Sequence, residues 1–175
     1  RRLPAPAAPR REPRPMNSSR PLNDRSLDEL RDFLAPDGAA EARRLFAAVH
    51  ARGDFRRVES VRGLRREQLA RVREVEVARL AVVERHQAAD GFVKYLFESP
   101  LGGQFEAVRI PIFDQKHVVC ISSQVGCALG CAFCQTGRMG FTRNLRTWEM
   151  VEQVRIIRDE AQLPVRNAVF MGMGE

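Results

Sequence analysis

Polar and apolar positions divide the chain into two regimes. Between residues 26 and 89 apolar side chains recur every three or four positions, the spacing of amphipathic helices. Leu27, Leu30, Phe33 and Leu34 make the first stripe, opened by Ser26 and Glu29 as a capping box and stopped before Pro36. Ala42, Leu45, Phe46 and Val49 make a second, expected to run from about Ala39 to Arg52 with Gly53 ending it. Leu69, Val72, Leu80 and Val83 stand among alternating Arg and Glu from Leu64 to Ala89 and predict one or two further helices with a solvated face. A small helical domain over residues 26–90 is the expectation.

At Asp90-Gly91 the period shortens. Phe92 to Glu98 and Gln104 to Ile112 are rich in β-formers, and the Ser-Pro-Leu-Gly-Gly between them supplies turn residues, so residues 91–115 read as a β-hairpin linker. Val118, Val119, Cys120 and Ile121, within Lys116 to Ser122, have the continuous apolar character of a strand buried on both faces. After a loop rich in Gly and Cys, Thr147 is placed to cap a helix reaching Ala161, with Trp148, Val151, Val154 and Ile157 facing inward. Asn167 to Met171 then reads as a second buried strand. Strand, loop, helix and strand form a βαβ unit, so residues 116–175 predict an α/β domain with ligands at the carboxyl ends of its strands.

Composition narrows the function classes. Apolar residues make up 44% of the chain, too many for a disordered protein. No apolar run approaches the roughly 18 residues that span a bilayer, and the basic first residues lack the apolar region of a secretory signal, so no membrane association is expected. Four cysteines without an export signal point to reduced thiols in a cytoplasm, and to metal or catalysis before disulfides. The net charge of +7 resembles a nucleic-acid footprint, but residues 1–15, with five Arg, one Glu and five of the ten prolines, carry +4 of it. Residues 1–25 are expected to be a disordered or untranslated leader, with Met16 a candidate start. Only Lys94 and Lys116 are lysines among the 29 basic residues, a bias that reads as coding composition.

The chemically informative segment is Gly126-Cys127-Ala128-Leu129-Gly130-Cys131-Ala132-Phe133-Cys134, directly after the first buried strand. Three thiols spaced x3 and x2 in a Gly-containing loop can converge on one centre. A structural zinc wants four ligands, and Cys120 and His117, in or near the preceding strand, are poorly placed to be the fourth. Three thiolates suit an iron–sulfur cube with one iron open to a substrate. Zinc and unrelated thiols remain the alternatives on spacing alone.

The C-x3-C-x2-C loop, with an aromatic residue before its last Cys, resembles the radical S-adenosylmethionine enzymes. Cys120-Ile-Ser-Ser-Gln-Val-Gly-Cys127, Thr136-Gly137, Gly140-Phe141-Thr142-Arg143-Asn144-Leu145 and Gly172-Met173-Gly174-Glu175 narrow the resemblance. They are similar to the bacterial adenine C2 methyltransferases of 23S ribosomal RNA and tRNA. Asp90-Gly91 and Phe105-Glu106-Ala107-Val108-Arg109-Ile110-Pro111 also resemble that family, and the helical region fits its accessory domain loosely.

The resemblance implies a partial (β/α)6 barrel, of which this chain supplies the first strand, first helix and second strand, preceded by the helical domain and the hairpin. It implies that Cys127, Cys131 and Cys134 hold a [4Fe-4S] cluster, whose open iron chelates the methionyl group of S-adenosyl-L-methionine. Reductive cleavage of that cofactor, with electrons from an external donor, would give a 5′-deoxyadenosyl radical. Ordinary polar methyl transfer cannot reach the electron-poor C2 of adenine, and the family first places a methyl group on a cysteine of its own, expected downstream of Glu175. Cys120 aligns with the thiol that resolves the resulting protein–RNA adduct as a disulfide, and Glu106 with the carboxylate that removes the C2 proton. Gly174 and Glu175 match the segment that contacts the methionyl group, and Phe133 is expected beside the cluster and cofactor. Arg138, Arg143 and Arg146 are candidate phosphate contacts or solvated surface. Methylation at adenine C8 and a non-catalytic zinc module on an RNA-binding protein are the alternative functions. No protein partner is implied. The chain is expected to be a fragment of a longer protein that cannot complete catalysis alone.

Overall fold

The computed structural model describes residues 20–35, 38–50, 61–112 and 116–174. Residues 1–19 of the expected leader, the Gly53 helix stop and Glu175 lie outside the described residues. The remainder of that leader, residues 20–25, is structured instead, with Leu22 in the helical core and Asn23 and Asp24 buried.

The helical region begins with a 3-10 turn at Leu22–Asp24, followed by α1 (Leu27–Leu34), α2 (Ala39–His50) and α3 (Arg66–Arg73). The capping box at α1 is formed as expected: the Ser26 N–H donates to Glu29 Oε2 at 2.7 Å and the Glu29 N–H to Ser26 Oγ at 3.3 Å. Leu22, Leu30, Leu34, Ala42, Leu45, Val49 and Val72 close a core of their own.

Helix does not continue to Ala89. Ala81–Gln87 is strand β1, paired antiparallel with β2 (Val93–Glu98) around the Asp90-Gly91 turn. The Ala88 N–H donates to the Phe92 carbonyl at 2.9 Å, and Gly91 sits at φ +89°, where glycine carries little strain. Val82 and Val83 favour extension, and pairing supplies the backbone bonds of the helix formers Glu84, Arg85 and Gln87 beside them and lets Leu80 enter the sheet core. A register shift between Val82 and Glu84 accompanies Val83, which is exposed. The Asp-Gly that reads as a domain boundary in the sequence is therefore a hairpin turn.

A five-stranded sheet follows the order β1-β2-β3-β4-β7, with β3 at Gln104–Ile112, β4 at Lys116–Cys120 and β7 at Val165–Val169. The first three junctions are antiparallel and β4 pairs parallel with β7. The α5 helix (Thr147–Glu160) makes the crossover, completing the predicted βαβ unit. A short ladder of β5 (Gln124–Gly126) and β6 (Phe141–Asn144) brackets the cysteine loop and α4 (Gln135–Arg138).

One sheet face is closed by α5. Tyr95, Phe97, Phe105, Val119, Trp148 and Ile157 are at most 1% exposed, each large apolar side chain contributing about 1.5–3 kcal/mol. The inward face of α5 differs from expectation. Arg146, not Thr147, occupies the cap, and its N–H donates to Glu149 Oε2 at 2.7 Å. Val151 is exposed, while Glu149, Glu152, Gln153 and Arg155 are buried, because the helix also packs on the polar exit of β4 and pairs Arg155 with Glu152. The β7 strand is an edge among the described residues, with Arg166, Asn167 and Ala168 exposed where a buried strand is expected. Asn23 joins the helical region to the sheet region through both polar groups of Ala78, at 2.9 and 3.0 Å. No helix among the described residues is long and apolar enough to cross a membrane.

Candidate active site

The carboxyl ends of β4 and β7, a parallel pair, lie side by side, and the segments leaving them are stitched together. The Ile121 N–H donates to the Val169 carbonyl at 2.9 Å and the Gly172 N–H to that of Ile121 at 3.2 Å. The Ser122 hydroxyl, fully buried, donates to the Glu106 carbonyl at 2.6 Å and accepts the Met173 N–H at 2.9 Å. The Gln153 side chain closes both backbone groups of Ser122 at 3.0 Å each. Ser123 Oγ donates to the Gly174 carbonyl at 3.0 Å. Gly172 is required by this approach, since a Cβ there would meet Ser122 Oγ at 2.7 Å. At Gly174, φ is +96° and a Cβ would meet Gln124 Cγ at 2.4 Å. Its predicted partner Glu175 lies outside the described residues.

The cysteine loop leaves this junction through β5 and returns through β6. The Cys127 N–H donates to the Gly140 carbonyl at 2.9 Å, and Gly126, at φ +75°, allows an approach in which any Cβ would lie 1.9 Å from that oxygen. Within the loop the Cys134 N–H donates to the Cys131 carbonyl at 3.0 Å, and Arg138 donates twice to the Ala132 carbonyl at 3.2 and 3.0 Å. Gln124 takes the Ala128 N–H at 3.0 Å and reaches Asn144 at 2.9 Å. Cys127, Cys131 and Cys134 are half-buried and in no disulfide. Around them Leu129, Phe133, Met139 and Phe141 are exposed, Phe133 at 91%.

The donor set suits a soft-metal cluster in kind: three thiols share one loop, and no Asp or Glu occurs between Cys120 and Trp148. As the loop stands, no group of three His, Cys, Asp or Glu among the described residues is gathered closely enough to hold a metal ion.

Glu106 and Cys120 lie on the sheet face opposite α5. Val108 is paired with Cys120, and Glu106 is two residues from Val108 on the same side of the pleat. The two functional groups are thus diagonal neighbours, with backbones about 7–8 Å apart. Glu106 Oε1 lies 3.0 Å from Lys94 Nζ, a partner the sequence reading does not identify. Its signal was present: Lys94 is one of two lysines in an arginine-rich chain.

Of the three candidate phosphate contacts, Arg143 has structural work. Its guanidinium grips the fully buried Glu149 at 2.9 and 2.8 Å and donates to the Gly102 carbonyl at 3.1 and 2.7 Å, tying the hairpin tip to α5. Burial alone would raise the Glu149 carboxyl, but the Arg143 fork, Ser99 and the Arg146 N–H outweigh it and hold the group below the usual carboxylate range. Arg146, half-exposed, lies 3.6 Å from Asp24.

No protein-family model matches the chain. It is similar to a probable RNA methyltransferase of Myxococcus xanthus, 56% identical over 159 residues that cover 88% of this chain and 44% of that protein. It is 44% identical to a probable dual-specificity RNA methyltransferase RlmN of Salinibacter ruber, over 83% of this chain and 42% of that one. A dual-specificity RNA methyltransferase RlmN of Campylobacter hominis is 37% identical over 88% of this chain and 47% of its own. Among solved structures, a radical SAM methyltransferase from Sphaerobacter thermophilus superimposes with a TM-score of 0.70 at 36% identity, covering 89% of this chain and 47% of that one. The chain therefore spans less than half the length of these curated relatives.

Proposed function

Since the chain belongs to the family of the RNA methyltransferases that it matches, we propose that the protein containing it methylates C2 of adenine in 23S ribosomal RNA, with tRNA as a second substrate. The observation that carries the reading is the joining of a three-thiol loop to a Gly-Met-Gly turn at the carboxyl ends of β4 and β7, where α/β folds bind ligands.

Cys127, Cys131 and Cys134 would hold a [4Fe-4S] cluster through their thiolates, and Phe133 would shield it. Gly174 and Glu175 would take the methionyl group of S-adenosyl-L-methionine, with the Gly172–Gly174 backbone held ready by Ser122 and Ser123. When bound and supplied with electrons by a donor, the cluster and cofactor provide a carbon-centred radical able to activate a methyl group carried on a cysteine elsewhere in the longer protein.

The chain's own residues act on the adduct between that cysteine and adenine C2. Addition of a carbon radical leaves the ring with one electron in excess. Once a one-electron acceptor has taken it, a Glu106 oxygen takes the C2 proton and the C–H electron pair restores the aromatic ring. The Cys120 thiolate attacks the adduct sulfur, forming a disulfide. The carbon–sulfur pair leaves with the methylene carbon, which takes up a proton to become the methyl group. Two sulfurs are oxidised and one carbon is reduced, so the electrons balance.

The test uses the protein at the length of its relatives, reconstituted anaerobically with iron and sulfide. The expected result is a brown protein that cleaves S-adenosyl-L-methionine under reduction and leaves 2-methyladenosine in digested rRNA. Substitution of Cys127, Cys131 or Cys134 by Ala abolishes the colour. A colourless protein holding zinc refutes the reading, and 8-methyladenosine as the product refutes its regiochemistry.

A further inference from the structure

The sheet face that carries Glu106 and Cys120 also holds a cleft of about 220 Å³, lined by Glu84, His86, Lys94, Leu96 and Glu106. Strand pairing fixes the layout. Leu96 stands directly across from Glu106, His86 directly across from Lys94, and Lys94 diagonally from Glu106. The carboxylate is thus flanked by an ammonium on the β2 side and by the Cys120 thiol on the β4 side.

We propose that Lys94 is a positioning residue for Glu106, fixing its carboxylate so that one oxygen is presented to the proton of a nucleobase bound in this cleft. This inference rests on the reading that Glu106 removes the C2 proton. A carboxylate on a half-exposed strand position otherwise samples several rotamers, and the Leu96 side chain facing it offers no polar restraint. The 3.0 Å contact from Lys94 Nζ to Oε1 supplies that restraint. An ammonium is suited to the task in a way a guanidinium is not. Arg clamps both oxygens of a carboxylate in a planar fork, as Arg143 does at Glu149, whereas Lys is a point charge that leaves Oε2 open as a proton acceptor. The chain has 27 Arg and two Lys, and one of the two stands here.

The structure also explains why Lys94 would act on one step alone. It lies on β2, remote in sequence from the cysteine loop and from the Gly172–Gly174 turn, and the hydrogen bonds described above for both come from other elements. Its loss is therefore expected to spare cluster assembly, cofactor cleavage and methyl loading. It slows the release of RNA from the adduct roughly 10- to 100-fold, the range a displaced catalytic group produces.

The experiment compares wild type, Glu106→Gln, Lys94→Met and Lys94→Gln in the reconstituted full-length protein, each checked for iron content and circular dichroism. Covalent protein–RNA adduct is followed on denaturing gels, and methyl loading by mass spectrometry of the protein. Accumulation of adduct in Glu106→Gln and in both Lys94 variants, with unchanged iron and methyl loading, is the expected result. Should Glu106→Gln accumulate adduct while the Lys94 variants release it at the wild-type rate, the positioning role is wrong and the Glu106 assignment stands. Should Glu106→Gln itself accumulate none, the assignment of Glu106 fails and takes this inference with it. Iron, loading and release falling together in the Lys94 variants would show a merely structural role and overturn the proposal.

Discussion

Replacing Arg143 with Met strands a carboxylate inside the protein. Glu149 is fully buried, and its oxygens rest on the two Arg143 donors at 2.9 and 2.8 Å, the Arg146 N–H at 2.7 Å and Ser99. Removing one partner of a buried ion pair costs about 3–5 kcal/mol, because the remaining charge stays desolvated. The Arg143 side chain is 24% exposed, so water can partly replace it, which favours the lower end, about 3 kcal/mol. That is a factor of roughly 150 in the folding equilibrium at 1.36 kcal/mol per tenfold change.

The pH dependence has a definite sign. In the wild type the Glu149 carboxyl is depressed, so its stabilisation is full above the unfolded carboxylate value and fades as pH falls below it. In Arg143→Met, burial acts unopposed by the guanidinium and raises the group, so the penalty is greatest at neutral pH and shrinks toward pH 4 as Glu149 protonates. Urea unfolding followed by fluorescence of Trp148, the chain's one tryptophan and a buried one, reports both quantities. The double variant with Glu149→Gln should lose less than the two single losses combined. A cost under about 1 kcal/mol at pH 7, or a gap between the proteins that widens on acidification, would refute the account.

Two further changes probe the junction of the strands. Ser122→Ala leaves the Met173 N–H and the Glu106 carbonyl without their buried partner and should cost about 2–4 kcal/mol in the same unfolding assay, whereas a loss below 1 would mean that water replaces the hydroxyl. Gly126→Ala adds about 1–2 kcal/mol of left-handed strain and a Cβ that cannot coexist with the Gly140 oxygen, so the base of the cysteine loop should open. Faster alkylation of Cys127, resolved by mass spectrometry, is the expected outcome, and an unchanged rate counts against the tight approach.

How much of this was written in the sequence depends on the range of the interaction responsible. The α1 cap and the hairpin follow from signals within a few residues of one another and form as read, while the βαβ unit forms with its helix cap at Arg146 and its second strand at Val165–Val169, mostly exposed. The segment Ala81–Gln87 does not form as read, because it is recruited by a partner strand across the turn, in pairs that widen from Gln87 with Val93 to Ala81 with Glu98. Polar burial on α5 was equally hidden. Gln153 and Glu149 look like solvated helix positions until the β4 exit and Arg143 are brought against them. The cysteine loop was legible by spacing, and Glu106 and Cys120 by resemblance, but their sharing of one sheet face depends on the β3–β4 register.

That register makes the sheet a ruler with a parity. Deleting a single residue of β3 between Glu106 and its Val108 pairing would rotate the carboxylate to the side of Phe105 and Tyr95, into an apolar core where no substrate reaches. A two-residue change would restore the face but carry the group about 7 Å along the strand. The turn at Ser99–Gly103 lies outside the strand pairing but is held by Arg143 through the Gly102 carbonyl, so its tip is fixed by a different contact. Related chains are therefore expected to resist odd-numbered insertions within β3 and β4, where the proposed chemistry needs Glu106 and Cys120 to remain on one face.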